Sequence, residues 1–291
     1  MAFLQEFRTP IAQVLPGVVQ GIAANGIAVA KIPPGATYAS ITFYATIAGV
    51  AATRAQIVAQ WTQIRCTISG NEIFTLSGKQ LVAIIEYYRT GLIADTGALT
   101  IPFQRLWQKE IAAALNPDWG TLGESSVQFE ITQTASAIDA VAVYAEVEPE
   151  AQELGAYMSY QRLTPTFAST GVFVYPDLYK QAGAFAYAYH FEVPVVANLT
   201  NVELIADNVS LVNTPPLVLN AYGREGTPNR TPQTPAGFVH LDFCRRGIDA
   251  DALPLSMSTL TLRLTFENAA PNTFAIIQEI GQVKPGVGKA N

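Results

Sequence analysis

Apolar and polar residues alternate with a period of two along most of this chain. In TYASITFYATI, residues 37–47, Ile41, Phe43, Ala45 and Ile47 alternate with Ser40, Thr42, Tyr44 and Thr46. Successive side chains of a strand point to opposite faces, so the pattern predicts a strand with one face buried. The same alternation marks 26–32, 62–68, 127–133, 141–147, 184–193, 259–266 and 274–280, with turn residues between them. Many short strands at such spacing predict a sandwich or barrel. Two segments in the first half read as helices instead. Ser77 is placed to cap a helix running to about Arg89, with Gln80 as the reciprocal capping partner and Gly91 as the stop. The second, LWQKEIAAAL at 106–115, sets Leu106, Trp107, Ile111 and Leu115 on one core-facing stripe and stops before Pro117.

The second half repeats the first. GIAVAKIP from Gly26 lines up with GVFVYPDL from Gly171, and the hairpin IRCTISGNEIF from Ile64 with VELIADNVSLV from Val202. A helix follows each hairpin. The second is expected over 215–222, with Asn213 and Thr214 ahead of it, Pro215 in its first turn and Gly223 as its stop. TIPF (100–103) then matches VHLDF (239–243), and VAVYAEV (141–147) matches FAIIQEI (274–280), which aligns Glu146 with Glu279. About eight strands fall in each half, and eight antiparallel strands wrapped as two sheets make a jelly roll. The expected fold is all-β: two tandem eight-stranded jelly-roll sandwiches with short inserted helices, superposable and with no strand pairing between the halves.

The expected divisions are an N-terminal arm at 1–16, a first jelly roll at 17–150, a second at 151–283 and a C-terminal tail at 284–291. The join falls in the polar stretch EPEAQELGA, 148–156. A unit with an even number of antiparallel strands begins and ends at one end, so both termini and the join are expected at a common base. The amphipathic arm, with Phe3, Leu4 and Phe7 beside Glu6 and Arg8, and the tail with Lys284 and Lys289 are expected to order against a partner there. Deleting residues 1–12 is accordingly expected to spare the fold but to impair assembly. The Pro- and Gly-rich stretch 223–237 is expected as an exposed loop.

Composition sharpens this picture. Only 14% of residues are charged while 49% are hydrophobic, which favours a protein that buries surface against partners. A net charge of −6 argues against a sequence-independent nucleic-acid binder, which needs a basic face. Arg245 and Arg246 read as an exposed strand end. Cys66 and Cys244 lie in apolar strand runs and read as buried free thiols, the usage of a reducing compartment. Glu6 and Arg8 stand where a secretory signal would place its apolar run, and prolines and glycines break the uncharged stretch after Arg8. Without export, the sequons at Asn198, Asn208 and Asn229 carry no weight.

Candidate chemistry is thin. Cupin-type jelly rolls hold metal with a histidine pair two residues apart plus a further histidine and a carboxylate. HFE at His190 and HLD at His240 offer one histidine each. A site would need both histidines on neighbouring strands with Glu192 and Asp242 beside them; ordinary strand histidines are the reading taken. Asp249 and Asp251 mark a turn rather than a calcium pair, since calcium takes roughly six or more oxygens. No G-x-S-x-G elbow or phosphate-binding loop is present. No catalytic, cofactor-binding or metal-binding residue is assigned, no cofactor is implied, and the chain is expected not to be an enzyme. The competing reading is a two-sandwich carbohydrate-active enzyme or carbohydrate-binding protein, for which Trp61, Trp107 and Trp119 would have to form a sugar platform.

Two tandem jelly rolls with a helix after the first tight hairpin resemble the double jelly-roll major capsid proteins of tailless icosahedral viruses, many of which enclose a membrane. The local likeness is to the corticovirus-like phage coat proteins. It runs from KIPPGATY, 31–38, through the hairpin at 64–74 to the capped helix. The resemblance implies a homotrimer whose six jelly rolls give a pseudo-hexagonal outline and tile a virion shell, assembled in the host cytoplasm. It implies as partners neighbouring capsomers, vertex or minor capsid proteins and an internal lipid membrane, and no sequence-specific nucleic acid.

Overall fold

A computed structural model describes residues 11–15, 19–88, 97–103, 119–134, 138–167, 169–225, 236–268 and 274–283. The expected helix at 106–115, Arg89, Gly91, most of the 223–237 loop, residues 1–10 and the tail lie outside these residues. The first half runs β1 (Ile11–Leu15), β2 (Val19–Gln20), β3 (Ile27–Ile32), β4 (Thr37–Ile47), β5 (Val50–Ala51), α1 (Arg54–Gln60), β6 (Trp61–Ile68) and β7 (Asn71–Leu76). It continues through α2 (Gly78–Tyr88), β8 (Ala98–Pro102), β9 (Trp119–Gly120), β10 (Val127–Gln133) and β11 (Ala140–Glu148). The second half runs β12 (Ala156–Leu163), β13 (Gly171–Tyr175), β14 (Phe185–Glu192), β15 (Leu199–Ala206) and β16 (Val209–Thr214). It closes with α3 (Pro216–Glu225), β17 (Phe238–Asp242), β18 (Leu253–Pro254), β19 (Leu260–Phe266) and β20 (Ala275–Val283).

Each half is a jelly roll. In the first, one sheet has the order β1-β11-β4-β8 and the other β3-β10-β6-β7; in the second the orders are β12-β20-β14-β17 and β13-β19-β15-β16. The strand alternation sends one set of side chains between the two sheets of each sandwich. Phe43 meets Phe129 edge-on at 5.2 Å and Trp61 at 6.2 Å, and Phe74 meets Phe129 at 6.2 Å. In the second half Phe167, Phe173, Phe266 and Phe274 do the same; each half has its own apolar core, and the first also takes in Ala188 and Ile277 from the outward face of the second half.

The duplication extends to register. Ile64 faces Leu76 and Cys66 faces Phe74, just as Val202 faces Thr214 and Leu204 faces Val212. Both hairpins then shift register at the same step, a β-bulge. Both turn through two left-handed residues, Ser69-Gly70 and Asp207-Asn208, the geometry that matches strand twist in a tight hairpin. At equivalent cross-strand positions the charges are exchanged: Arg65 opposes Glu130 in the first half, Glu203 opposes Arg263 in the second.

Four expectations change. Residues 11–15, assigned to the arm, form β1, the edge strand of the first sandwich, with Ile11 opposite Val147 and Leu15 opposite Val143. Their Ile-Ala-Gln-Val-Leu pattern is strand-like, but five residues between prolines are too few to stand out by period alone. The halves do pair: β7 and β12 meet in parallel at Phe74 and Tyr160, joining one sheet of each sandwich into a single 10-stranded sheet. The rings of that pair lie 5.8 Å apart, so apolar packing accompanies the strand contact. Helix α1 was not foreseen, although Thr53 and Gln56 cap it with the same reciprocal bonds predicted for Ser77 and Gln80. Finally, α3 runs past Gly223 to Glu225; a helix tolerates one glycine at about 1 kcal/mol.

The join between the halves is held rather than slack. Leu122 N–H donates to the Gln152 carbonyl at 2.9 Å, and Gln152 N–H donates to Thr37 Oγ1 at 2.8 Å. A Cβ on Gly120 would stand 2.3 Å from the Glu153 carbonyl oxygen, so only glycine admits the passing chain.

Candidate functional site

The fold buries a polar cluster where α2 of the first sandwich lies on the outward face of the second sandwich's β12-β20-β14-β17 sheet. Strand alternation puts Tyr189 and Phe191 in the second core and turns Ala188 and His190 the other way, toward the first half. His240 and Asp242 on β17 and Glu279 on β20 face the same direction and are buried.

Helix α2 begins at the predicted capping box. Gln80 N–H donates to Ser77 Oγ at 3.1 Å, and Ser77 N–H donates to Gln80 Oε1 at 3.0 Å. The other end of the same amide crosses to the second sandwich, where Gln80 Nε2 donates to Glu192 Oε2 at 2.8 Å. Lys79 Nζ reaches Glu192 Oε1 at 2.8 Å. At the helix's far end Tyr88 Oη donates to Glu279 Oε2 at 2.7 Å and Tyr87 Oη to Asp242 Oδ2 at 3.2 Å. The Tyr87 ring stacks on His240 at 4.1 Å, a contact of about 0.5–1.5 kcal/mol. Ser77→Ala removes one capping acceptor and leaves the Gln80–Glu192 bond, so a loss of about 0.5–2 kcal/mol in urea unfolding is the expected result.

The two histidines sit side by side, with His190 Nδ1 2.7 Å from His240 Nδ1 and His190 Nε2 3.1 Å from Glu279 Oε2. One proton joins the facing nitrogens: one ring donates and the other accepts. The nitrogens face each other rather than a common point, and among the described residues no group of three or more His, Cys, Asp or Glu side chains converges on a metal position. The cluster binds two domains together by hydrogen bonds.

Of the other candidate residues, Glu192 belongs to this seam through Lys79 and Gln80, while Asp251 is engaged by Arg246 in a fork with distances of 2.8 and 2.5 Å. Cys66 and Cys244 are buried free thiols, and burial pushes the Cys66 thiol well above its usual range, which keeps it neutral. Trp61 and Trp119 are buried at 0% and 2% exposure, so neither offers a face to a sugar; Trp107 lies outside the described residues. Sequence reasoning missed the part played by Tyr87, Tyr88 and Glu279. The aligned pair Glu146 and Glu279 was visible, but Glu146 is exposed and Glu279 is 1% exposed. No local signal distinguishes them.

Comparison with known proteins agrees with this architecture. Residues 17–148 match the family described as viral coat protein P2, N-terminal domain, and residues 157–283 match viral coat protein P2, C-terminal domain. No curated protein sequence matches. Among solved structures, the major capsid protein P2 from Bacteriophage PM2 superposes with a TM-score of 0.79 at 17% identity, covering 94% of this chain and 98% of that one. The PBCV-1 virus capsid protein does so with a TM-score of 0.66 at 9% identity, over 100% and 99% of the two chains. For the STIV MCP the TM-score is 0.64 at 12% identity, over 94% and 96%. At these identities the structures establish a shared fold, and the two family matches establish kinship: the chain belongs to the viral coat protein P2 family, a coat component of virions.

Proposed function

We propose that this coat protein is the major shell subunit of an icosahedral virion. It works as a homotrimer of six upright sandwiches and carries out no catalysis. The observation that supports this reading is how the chain joins its own two sandwiches. They meet through one strand edge of each, β7 against β12, with α2 laid across the seam. The corresponding edges at the two ends of the pair, β16 and β1, have no strand beside them among the described residues. A unit that repeats one side-by-side contact and leaves its two halves exposed is suited to a head-to-tail ring. Three copies supply the six sandwiches of a pseudo-hexagonal outline.

The working divisions are sandwiches at 17–150 and 151–283, with β1 added to the first. The chain starts of both sandwiches lie beside their ends, Ile11 opposite Val147 and Ala156 opposite Val283. That common base faces the interior of the shell, where the terminal segments meet minor capsid proteins or an internal lipid membrane. Light scattering on purified protein is expected to give three times the 31.3 kDa chain mass, or assembled shells. A particle of 31.3 kDa at every concentration tested sinks the proposal.

A further inference from the structure

We infer that α3 of one copy docks on the outward face of the β1-β11-β4-β8 sheet of a second copy, using Leu217, Val218 and Tyr222 against a surface centred on Tyr44 and Tyr144. The inference rests on the trimer reading and specifies its interface.

It follows from comparing the halves position by position. The hairpin registers make Gly78 equivalent to Pro216, so Lys79, Gln80, Leu81 and Ile84 of α2 correspond to Leu217, Val218, Leu219 and Tyr222 of α3. Leu81 and Leu219 are both buried, 1% and 6% exposed, as equivalent inward positions should be. The other face differs. Ile84 is 2% exposed under the seam, whereas Tyr222 is 46% and Leu217 79% exposed. α2 reaches across to a sheet of the other sandwich, whereas α3 packs on β17 and β15 of its own sandwich, with the Arg245 guanidinium 4.5 Å over the Tyr222 ring, and covers no sheet of another sandwich among the described residues.

The receiving sheets compare in the same way. Glu279 pairs with Ala188 and Glu146 with Ser40, and both sheets shift register at the next step. Counting along the strands from there, Tyr44 holds the place of Glu192 and Tyr144 the place of Ile277. Val14, Tyr144, Thr42 and Thr100 form one row across four strands. Its counterpart in the second sandwich includes Ile277, His190 and His240, which α2 buries to 1% exposure or less. In the first sandwich the row is open, with Val14 60% and Tyr144 41% exposed.

The two sides change together. Within the chain Lys79 and Gln80 both bind the Glu192 carboxylate. At the equivalent places the helix carries Leu217 and Val218, and the sheet carries Tyr44. A cation and an amide facing a carboxylate have become two aliphatic side chains facing an aromatic ring. Each half of that exchange leaves its own side chain poorly placed in water and makes sense only if the two surfaces meet, burying apolar area in place of an ion pair. Within one chain the strands β7 and β12 bring helix and sheet together. Between copies the open edges β16 and β1 do so.

The exchange supplies its own test. Leu217→Lys and Tyr44→Glu each place an uncompensated charge in the contact, and together they recreate the Lys79–Glu192 pair between copies. Sedimentation equilibrium on the full chain should show each single variant dissociating at roughly tenfold or more higher concentration than the parent, with the double variant recovering most of that loss. Leu217 is 79% exposed, so its substitution leaves the fold intact; Tyr144→Arg serves as a second variant of the receiving face, weakening assembly alike. Trimers unaffected by Leu217→Lys and Tyr144→Arg, or single losses with no recovery in the double variant, overturn the interface while the trimer reading stands. A parent protein that never exceeds 31.3 kDa overturns the trimer reading itself.

Discussion

Glu279→Ala is expected to lower the unfolding free energy by about 3–5 kcal/mol, the cost of removing one partner from a buried charged network. The carboxylate is 1% exposed and accepts from Tyr88 Oη at 2.7 Å and His190 Nε2 at 3.1 Å. Its removal strands a phenol and an imidazole N–H between two sandwiches, where water does not reach them at no cost. Glu279→Gln keeps an acceptor oxygen of nearly the same shape and should lose less than half as much. Urea denaturation with an unchanged m-value gives the comparison. A loss under about 1 kcal/mol for the alanine variant would mean that the seam is held by apolar packing alone. Glu146→Ala, at the equivalent place in the first sandwich, should be close to neutral because that carboxylate is exposed and, among the described residues, accepts only from Ser40 Oγ at 2.8 Å.

Removing residues 1–15 is expected to do greater damage and to abolish soluble, folded protein. β1 is an edge strand paired along five residues with β11, and Leu15 packs on the first core. Its loss opens the edge of β11, removes ladder bonds worth about 0.5–1.5 kcal/mol each and exposes a strand that pairs readily with other chains. Removing residues 1–10 takes no part of β1 and should leave circular dichroism and the unfolding midpoint unchanged. A cut after residue 12, expected from the sequence to spare the fold, shortens β1 by two residues and should fall between. Circular dichroism and soluble yield rank the three truncations; equal behaviour of all three would show that β1 contributes nothing to the sandwich.

Much of the fold was legible because jelly-roll strands leave a local trace. Alternation located β4, β10, β14 and β19, since each places every second side chain in a dry core. The S-x-x-Q capping box at Ser77 was readable because both its hydrogen bonds lie within one helical turn. The same signature, T-x-x-Q at Thr53, stands at the start of α1, but that helix is only seven residues long and has no apolar stripe, so no periodic signal accompanies the cap. β1 failed for a similar reason: five residues carry too little period to separate a strand from an arm.

The sequence by itself determined the unit of construction: two jelly rolls of matching strand order, the hairpin and helix inside each, and the alignment of Glu146 with Glu279. These are consequences of side-chain period, turn chemistry and capping, which act over a few residues. Only the tertiary structure decided that the two aligned glutamates live in different worlds, one at the surface and one sealed beneath Tyr88. It alone decided that His190 and His240, fifty residues apart in the chain, share a proton, and that β7 meets β12 edge to edge. Those outcomes depend on which outward sheet face another element covers. Period and propensity state which side of a strand faces its own core, but the opposite side is assigned only when two sandwiches are set side by side.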